Sequence, residues 1–307
     1  MNQPTRPNAA GHALPTTARL ADVATATAPT RRRARIGKQW RNPIGIIGAV
    51  IVLTTIVVAL AASLIAPYEA DNSDADRLLG PSRVNLLGTD ELGRDTFSRI
   101  VYGAQASLQV SLIAVIVALL VGGTLGLVSA YYGGWVDGWT MRLVDILFAF
   151  PGLVLAIVIA GLLGPSRNNA MIAIGVAYAP AFARVIRGSV LSVMNEPYLE
   201  SGRVAGAGAA RLIFRHILPN IIAPTIVLTT VYLSSAVLAE AGLSFLGLGT
   251  QPPDPSWGGM LNAARSYMEI SPWMAIAPGL AIMFIVLGLN FLGDGLRDIL
   301  DPRLRTR

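Results

Sequence analysis

Six stretches of this chain contain no Asp, Glu, Lys or Arg: residues 42–68, 100–136, 146–166, 168–183, 216–239 and 270–293. A helix needs roughly 20 apolar residues to cross the hydrocarbon core of a bilayer, and few soluble domains tolerate so many uninterrupted runs. With 53% hydrophobic and 14% charged residues over 307 positions, composition points the same way. The expected fold is all-α and integral to a membrane, with six transmembrane helices. The run 168–183 is the weakest, with 16 residues. Arg184 and Arg187 follow it, where their long side chains reach toward the headgroups. A buried amphipathic helix is the competing reading of that run.

Loops rich in Lys and Arg stay in the cytoplasm. With the N-terminus inside, the inner segments hold eighteen of the 24 Lys and Arg and the outer segments six. Both termini are therefore expected to be cytoplasmic, together with the polar segment 195–220 between the fourth and fifth spans. The net charge of +6 sits mainly in Arg31, Arg32, Arg33, Arg35, Lys38 and Arg41. That run lies just before a span, where topology or membrane lipid accounts for it and no nucleic acid is called for. More than 40 residues precede the first span, which makes it a retained anchor and not a secretory signal. The chain has no Cys, so disulfides and thiolate chemistry are excluded.

The expected organisation is a disordered tail over 1–38, an N-terminal segment with the first span over 39–66, and a polar extracytoplasmic segment over 67–104. A five-helix membrane domain over 105–293 and a cytoplasmic tail over 294–307 complete it. The loop 244–272 holds too many Gly and Pro for a long helix. Gly122 and Gly126 form a small-xxx-small pair suited to close helix approach.

Catalytic chemistry is hard to place on this chain. A phosphate cradle needs a Gly-rich turn ending in Gly-Lys-Ser/Thr. The sole lysine, Lys38, follows Gly37 but precedes Gln39, and Arg32 stands where another glycine is required. Any ATP belongs to another polypeptide. A calcium loop over Asn72, Asp74 and Asp76 fails because Arg77 and Arg83 occupy the sixth and twelfth positions. His12 and His216 have no metal-ligand spacing, so no metal or cofactor is expected on the chain. The one serious candidate for an acid inside the bilayer is Glu240. It lies about 30 Å along a helix from Asn220, near the outer surface, either held by a helix neighbour or lining an outer gate.

The segment 195–220 is expected to be a short helix-turn-helix on the membrane surface. Pro197 suits a first helical position, Gly206 and Gly208 stop that helix, Ala209 to Leu218 form a second, and Pro219 restarts the chain toward the membrane. With Glu200, Gly206 and Leu218-Pro219 in this order, it resembles the cytoplasmic coupling loop of ABC importer permeases, where a separate ATPase docks.

Other segments resemble one branch of that superfamily, the C-type permease subunit of dipeptide and oligopeptide importers. They are Trp40-Arg41-Asn42-Pro43, the run Gly88-Thr89-Asp90-Glu91-Leu92-Gly93-Arg94-Asp95, Gly133 to Asp137, Met141 to Asp145, Leu243 to Gly249, and Gly293 to Asp298. The resemblance implies a multi-pass protein of a prokaryotic cytoplasmic membrane working by alternating access. It also implies a homologous B-type permease, two ATPase subunits carrying ATP and Mg, and an extracytoplasmic substrate-binding protein. Peptide is the favoured substrate class; the same branch imports nickel and glutathione. An ion-coupled secondary transporter and a mere membrane scaffold for an ATPase are competitors of other classes.

In this resemblance Glu200 bridges the first coupling helix to the second or to the ATPase, Gly206 permits the turn, and Leu218-Pro219 sets the re-entry angle. Arg211 and Arg215, four residues apart, share one helical face and can pair with acids around an ATPase groove, with lipid headgroups as their alternative contact; Arg203 joins them as an ATPase-coupling residue. Where the family usually has Glu-Ala-Ala, this chain has Glu200-Ser201-Gly202, and Gly202 lowers helix propensity by roughly 1 kcal/mol against Ala.

Overall fold

The computed structural model describes residues 42–300. The tail expected to be disordered, the basic run ending at Arg41 and residues 301–307 lie outside the described residues. Among the described residues the regular structure is helical, with one isolated antiparallel bridge, between Thr89 and Asp95.

Helix α1 (Pro43–Leu60) starts where Asn42 caps it. The Asn42 side chain accepts a hydrogen bond from the Ile44 backbone N (3.0 Å), and Pro43 takes a position where a missing N–H costs nothing. One turn, α2 (Ala62–Ile65), and a non-helical polar segment lead to α3 (Thr96–Tyr132). Residues 96–104, expected in the polar segment, are therefore the first turns of α3. Gly133, at φ 62°, ends α3 and starts α4 (Gly134–Phe148), and α5 (Gly152–Leu163) follows after Pro151. Then come α6 (Arg167–Met194), α7 (Pro197–Val204), α8 (Ala209–Leu212), α9 (Leu218–Phe245), α10 (Trp257–Ala264) and α11 (Trp273–Leu300). The tail expected from 294 thus begins as helix.

Among the described residues five helices are long and apolar enough to cross a membrane: α1, α3, α6, the continuous helix Ala209–Phe245 and α11. A sixth crossing arises only if α4 and α5, bent by 89°, count as one. The third span, expected as one helix over 146–166, is therefore the irregular one. Its α5 has 12 residues, a length of about 18 Å.

The fourth run is the opposite case. Helix α6 is 28 residues long and two-thirds of its apolar window is buried. The charge-free run is shorter than the helix because α6 continues through Arg184 and Arg187, which pair with acids of α4. Arg187 donates to both oxygens of Asp137 in α4 (2.6 and 2.5 Å), and Ser129 donates to the same carboxylate. Arg184 donates to Asp145 (2.7 Å) and stacks 4.1 Å over the Phe148 ring. Both arginines hold α4 against α6.

Helices α3 and α6 form the centre of the bundle, where Val110, Ala114, Val115 and Ala118 of α3 share a core with Ala170, Ala173, Ile174, Phe182 and Ile186 of α6. Helices α1 and α11 make the second close pair. A Cβ at Gly45 would lie 2.9 Å from Gly295 Cα, and Asn42 Nδ2 donates to Asp298 (2.7 Å). Two motifs more than 240 residues apart in sequence, around Asn42 and around Gly295, are thereby one contact.

Candidate functional site

The bundle has two chemically distinct ends. At the first, α6 leaves the core and the chain folds into the insert. Helix α7 opens with Pro197 in its first turn and buries Leu199. The turn after it rests on Gly206, whose φ is +79°, a conformation that costs a glycine nothing. Gly206 N donates to the Arg203 carbonyl and Ala207 N to the Gly202 carbonyl, each at 3.0 Å, which satisfies carbonyls at the end of α7.

The second half of the insert departs from the expected helix-turn-helix. Helix α8 runs without a break into a π-helical segment, Ile213–Ile217, and then into α9. Pro219 therefore does not restart the chain; it sits in the first turn of α9. The π-turn absorbs it, since Leu218 N reaches back five residues to the Ile213 carbonyl. Asn220 Nδ2 then donates to the His216 carbonyl (2.6 Å) and to the Tyr198 hydroxyl (3.2 Å), joining α7 to α9. Nothing in the sequence pattern pairs Tyr198 with Asn220, because their meeting depends on that turn.

Glu200, Arg203, Arg211 and Arg215 are all exposed, and among the described residues none has a side-chain hydrogen bond or ion pair. Glu200 does not bridge α7 to α8. Leu218 is half-buried and Pro219 exposed. Beside the charges, Val204 is 86% and Phe214 71% exposed.

The departure at Ser201-Gly202 has local consequences. A Cβ on Gly202 would lie 3.2 Å from Leu212 Cδ2, and Leu212 is buried in the main core. That single contact is with a side-chain tip, so the roughly 1 kcal/mol of helix propensity that Ala would add is set only against a small displacement of Leu212. Ser201 donates to the Pro197 carbonyl within α7 (3.0 Å).

At the opposite end, the motif from Gly88 to Asp95 is a hydrogen-bonded lasso. Asp90 accepts from the backbone N of Leu92 and of Arg94 (both 2.9 Å), and from Arg94 Nε (2.6 Å). Arg99 Nε lies 3.5 Å from the same carboxylate. Thr89, fully buried, accepts from Leu79 N (2.9 Å) and donates to the Asp76 carbonyl (2.6 Å). Asp95 caps α3 through Ser98 N (2.8 Å) and accepts from Asn85 (3.0 Å). Each acid has a structural partner, so the spacing encodes a fold within the segment.

Gly88 (φ +75°) and Gly93 (φ +82°) are the points where that lasso closes. A Cβ on either would come 2.2 Å from a backbone oxygen, of Leu79 and of Ala75 respectively. Gly93→Ala is expected to destabilise this end by about 2 kcal/mol or more through combined strain and overlap, read as faster proteolysis of residues 67–95 in the folded protein. Protease resistance equal to the parent would contradict the geometry.

Glu240 lies in α9 one turn before Ser244 and is 1% exposed. Ser244 Oγ donates to Glu240 Oε1 (2.8 Å) and accepts from Thr250 N (3.3 Å), which ties the loop after α9 back onto the helix. The neighbour expected to hold this carboxylate is therefore Ser244.

These features define a multi-helix integral membrane protein with an exposed polar helical insert at one end and a locked polar loop at the other. The family model for the binding-protein-dependent transport system inner membrane component matches residues 122–306, and the chain belongs to that family. The dipeptide transport system permease protein DppC of Alkalihalophilus pseudofirmus is 44% identical over 286 residues, 93% of each chain. The glutathione transport system permease protein GsiD of Pectobacterium atrosepticum is 44% identical over 92% of this chain and 97% of its own. A solved chain of the MetNI methionine ABC transporter, inward facing, has the same fold: TM-score 0.55 over 68% of this chain and 96% of that one, at 18% identity.

Proposed function

We propose that the chain is the transmembrane permease subunit of an ATP-driven importer that carries di- or oligopeptides across a bacterial cytoplasmic membrane. The observation that carries this reading is the 44% identity to a dipeptide permease over 93% of the chain. The glutathione permease relative, equally similar, favours a second reading in which the same architecture imports glutathione.

In this reading both termini and the insert are cytoplasmic and the lasso end is extracytoplasmic, in keeping with the distribution of Lys and Arg. A homologous B-type permease completes the pathway, two ATPase subunits bind ATP and Mg, and an extracytoplasmic protein delivers substrate. The chain itself catalyses no covalent step. Glu200, Arg203, Arg211 and Arg215 face the ATPase, with Val204 and Phe214 as its apolar anchors, since all are exposed. The lasso, from Gly88 through Thr89, Asp90, Gly93 and Arg94 to Asp95, gives the outer end a fixed shape for the delivering protein.

The test is reconstitution of the permeases with their ATPases and binding protein in liposomes. Uptake of labelled dipeptide that requires ATP inside and the binding protein outside is expected. Uptake without the ATPases would sink the reading, and competition by glutathione over dipeptides would select the second one.

The position of Glu240 favours a latch between α9 and the loop after it over an outer gate. Glu240→Gln retains a side-chain oxygen for Ser244, so uptake within about twofold of the parent is expected. A large loss with unchanged membrane abundance would return Glu240 to the gate.

A further inference from the structure

Helix α4 is the one long element that does not run with the bundle. Helix α5 lies along α6, where Ala156 and Ala160 are fully buried in the shared core, and the 89° bend turns α4 across that direction. Helix α4 therefore crosses the bundle axis at the end where α3 stops and α6 approaches the insert. Both of its acids are spent on α6, Asp137 on Arg187 and Asp145 on Arg184. Val144, 1% exposed, packs on that side.

The opposite side is unlike a helix face in water. Trp135, Trp139, Leu143 and Ile146 follow one another at intervals of four, four and three residues, which places them in one stripe of the helix. They are 76%, 68%, 53% and 57% exposed. Arg142 stands at the edge of the stripe, three residues after Trp139 and four before Ile146. It is exposed and, among the described residues, makes no ion pair. With Asp137 and Asp145 paired, Arg142 is the charge that α4 leaves uncompensated.

Water around this face would leave four large apolar side chains unburied. Hydrocarbon would strip the guanidinium and both indole N–H groups of partners. The headgroup layer between the two suits both kinds of residue, because tryptophan gathers at that depth and a guanidinium there meets lipid phosphate. Tyr132, 64% exposed at the end of α3, adds a further interfacial aromatic beside the start of α4.

We infer that α4 lies in the plane of the membrane, in the headgroup layer on the insert's side, with Trp135 and Trp139 among the headgroups and Arg142 on the phosphate of an anionic phospholipid. The uncompensated positive charge favours an anionic lipid over a zwitterionic one. Because the other side of α4 is pinned to α6, the lipid contact also steadies the stretch of α6 from which the insert departs. The inference needs only the membrane-spanning fold and does not depend on the proposed substrate.

The test uses the full chain, assembled with cysteine-free partner subunits in nanodiscs of phosphatidylcholine and phosphatidylglycerol. The chain has no Cys, so Trp135→Cys and Trp139→Cys each give it a single thiol for an NBD fluorophore; Leu143→Cys reports on the same face where loss of a tryptophan lowers accumulation. Lipids carrying a nitroxide at the headgroup end of the acyl chain are expected to quench these labels about twofold more than lipids carrying it at the terminal methyl, the depth of an in-plane amphipathic helix. Labels that no lipid nitroxide quenches would mean that protein covers this face, and stronger quenching from the terminal methyl would mean that α4 is sunk in hydrocarbon; either overturns the inference. Spin-labelled phosphatidylglycerol should be enriched about fivefold over phosphatidylcholine beside the parent helix, the pull of one basic residue near an anionic surface, and Arg142→Gln should abolish that preference. The same preference in parent and variant would overturn the anionic headgroup as the partner of Arg142.

Discussion

Gly206→Val is expected to leave the protein in the membrane at normal abundance and to abolish substrate-stimulated ATP hydrolysis by the assembled transporter. No atom lies within 4 Å of a Cβ added at Gly206, so steric overlap is not the cause. The cost is in the backbone. Gly206 has φ +79°, and a β-branched residue held in that region loses roughly 1–2 kcal/mol or more. Gly206 and Ala207 are each held by one backbone N–H bond back to α7, Gly206 N to Arg203 O and Ala207 N to Gly202 O. A strain of that size suffices to open the turn, while the five long apolar helices are untouched. Opening it moves α7 relative to α8, and with them the exposed set from Glu200 to Arg215 on which the proposed ATPase contact depends. Gly206→Asn is the informative control, since asparagine tolerates the left-handed region far better than valine. Stimulation retained by the asparagine variant and lost by the valine variant is the expected pattern, measured as ATP hydrolysis with and without loaded binding protein. Full stimulation in the valine variant would remove this turn from the coupling path.

Much of this architecture can be read from the sequence, and the misreadings have identifiable causes. The apolar runs located α1, α3, α9 and α11 because those helices are apolar along much of their length and carry few charges. The same criterion undervalued α6, whose arginines are neutralised by Asp137 and Asp145 across a helix pair that no local pattern reveals. It overvalued 146–166, where Pro151 and the 89° bend break an otherwise apolar stretch. At the insert, Pro197 and Gly206 marked the first helix and its stop correctly, since each acts through its own backbone. Pro219 misled because a π-turn, a departure from i→i−4 bonding with no sequence signature, lets the helix continue through it. The lasso was legible as a motif but not as a structure: Asp90 and Asp95 look like candidate site acids, and only in the fold are they occupied by Arg94, Arg99, Asn85 and Ser98.

Gly126→Leu is expected to prevent accumulation of folded protein, and Gly126→Ala to lower its thermal stability sharply. In lipid there is little hydrophobic drive to bring helices together, so close packing of small residues supplies much of the association. On α3 the pair Gly122 and Gly126 faces Ala179 and Ala183 of α6. An added Cβ would lie 2.1 Å from the Ala179 carbonyl oxygen and 2.3 Å from that of Ala183. These obstacles are backbone atoms of the most buried span, which cannot swing aside as a side-chain tip can. The helices must separate, and a separation at Gly126 also loosens the contacts of Phe182 and Ile186, buried between Gly122 and the end of α3. Overpacking of this kind costs about 1–3 kcal/mol for small insertions and more where backbone has to move. Gly123 supplies the comparison within the same helix turn. A Cβ there meets only the Ile186 Cδ1 and Leu119 Cδ1 tips, at 3.1 and 3.6 Å, and both can rotate away. Gly123→Ala is therefore expected to melt within a few degrees of the parent, and Gly126→Ala well below it, when detergent-solubilised protein is heated and the surviving monodisperse fraction is measured. Equal tolerance at the two positions would mean that α3 and α6 do not approach backbone to backbone, and the burial of α6 would then need a different cause.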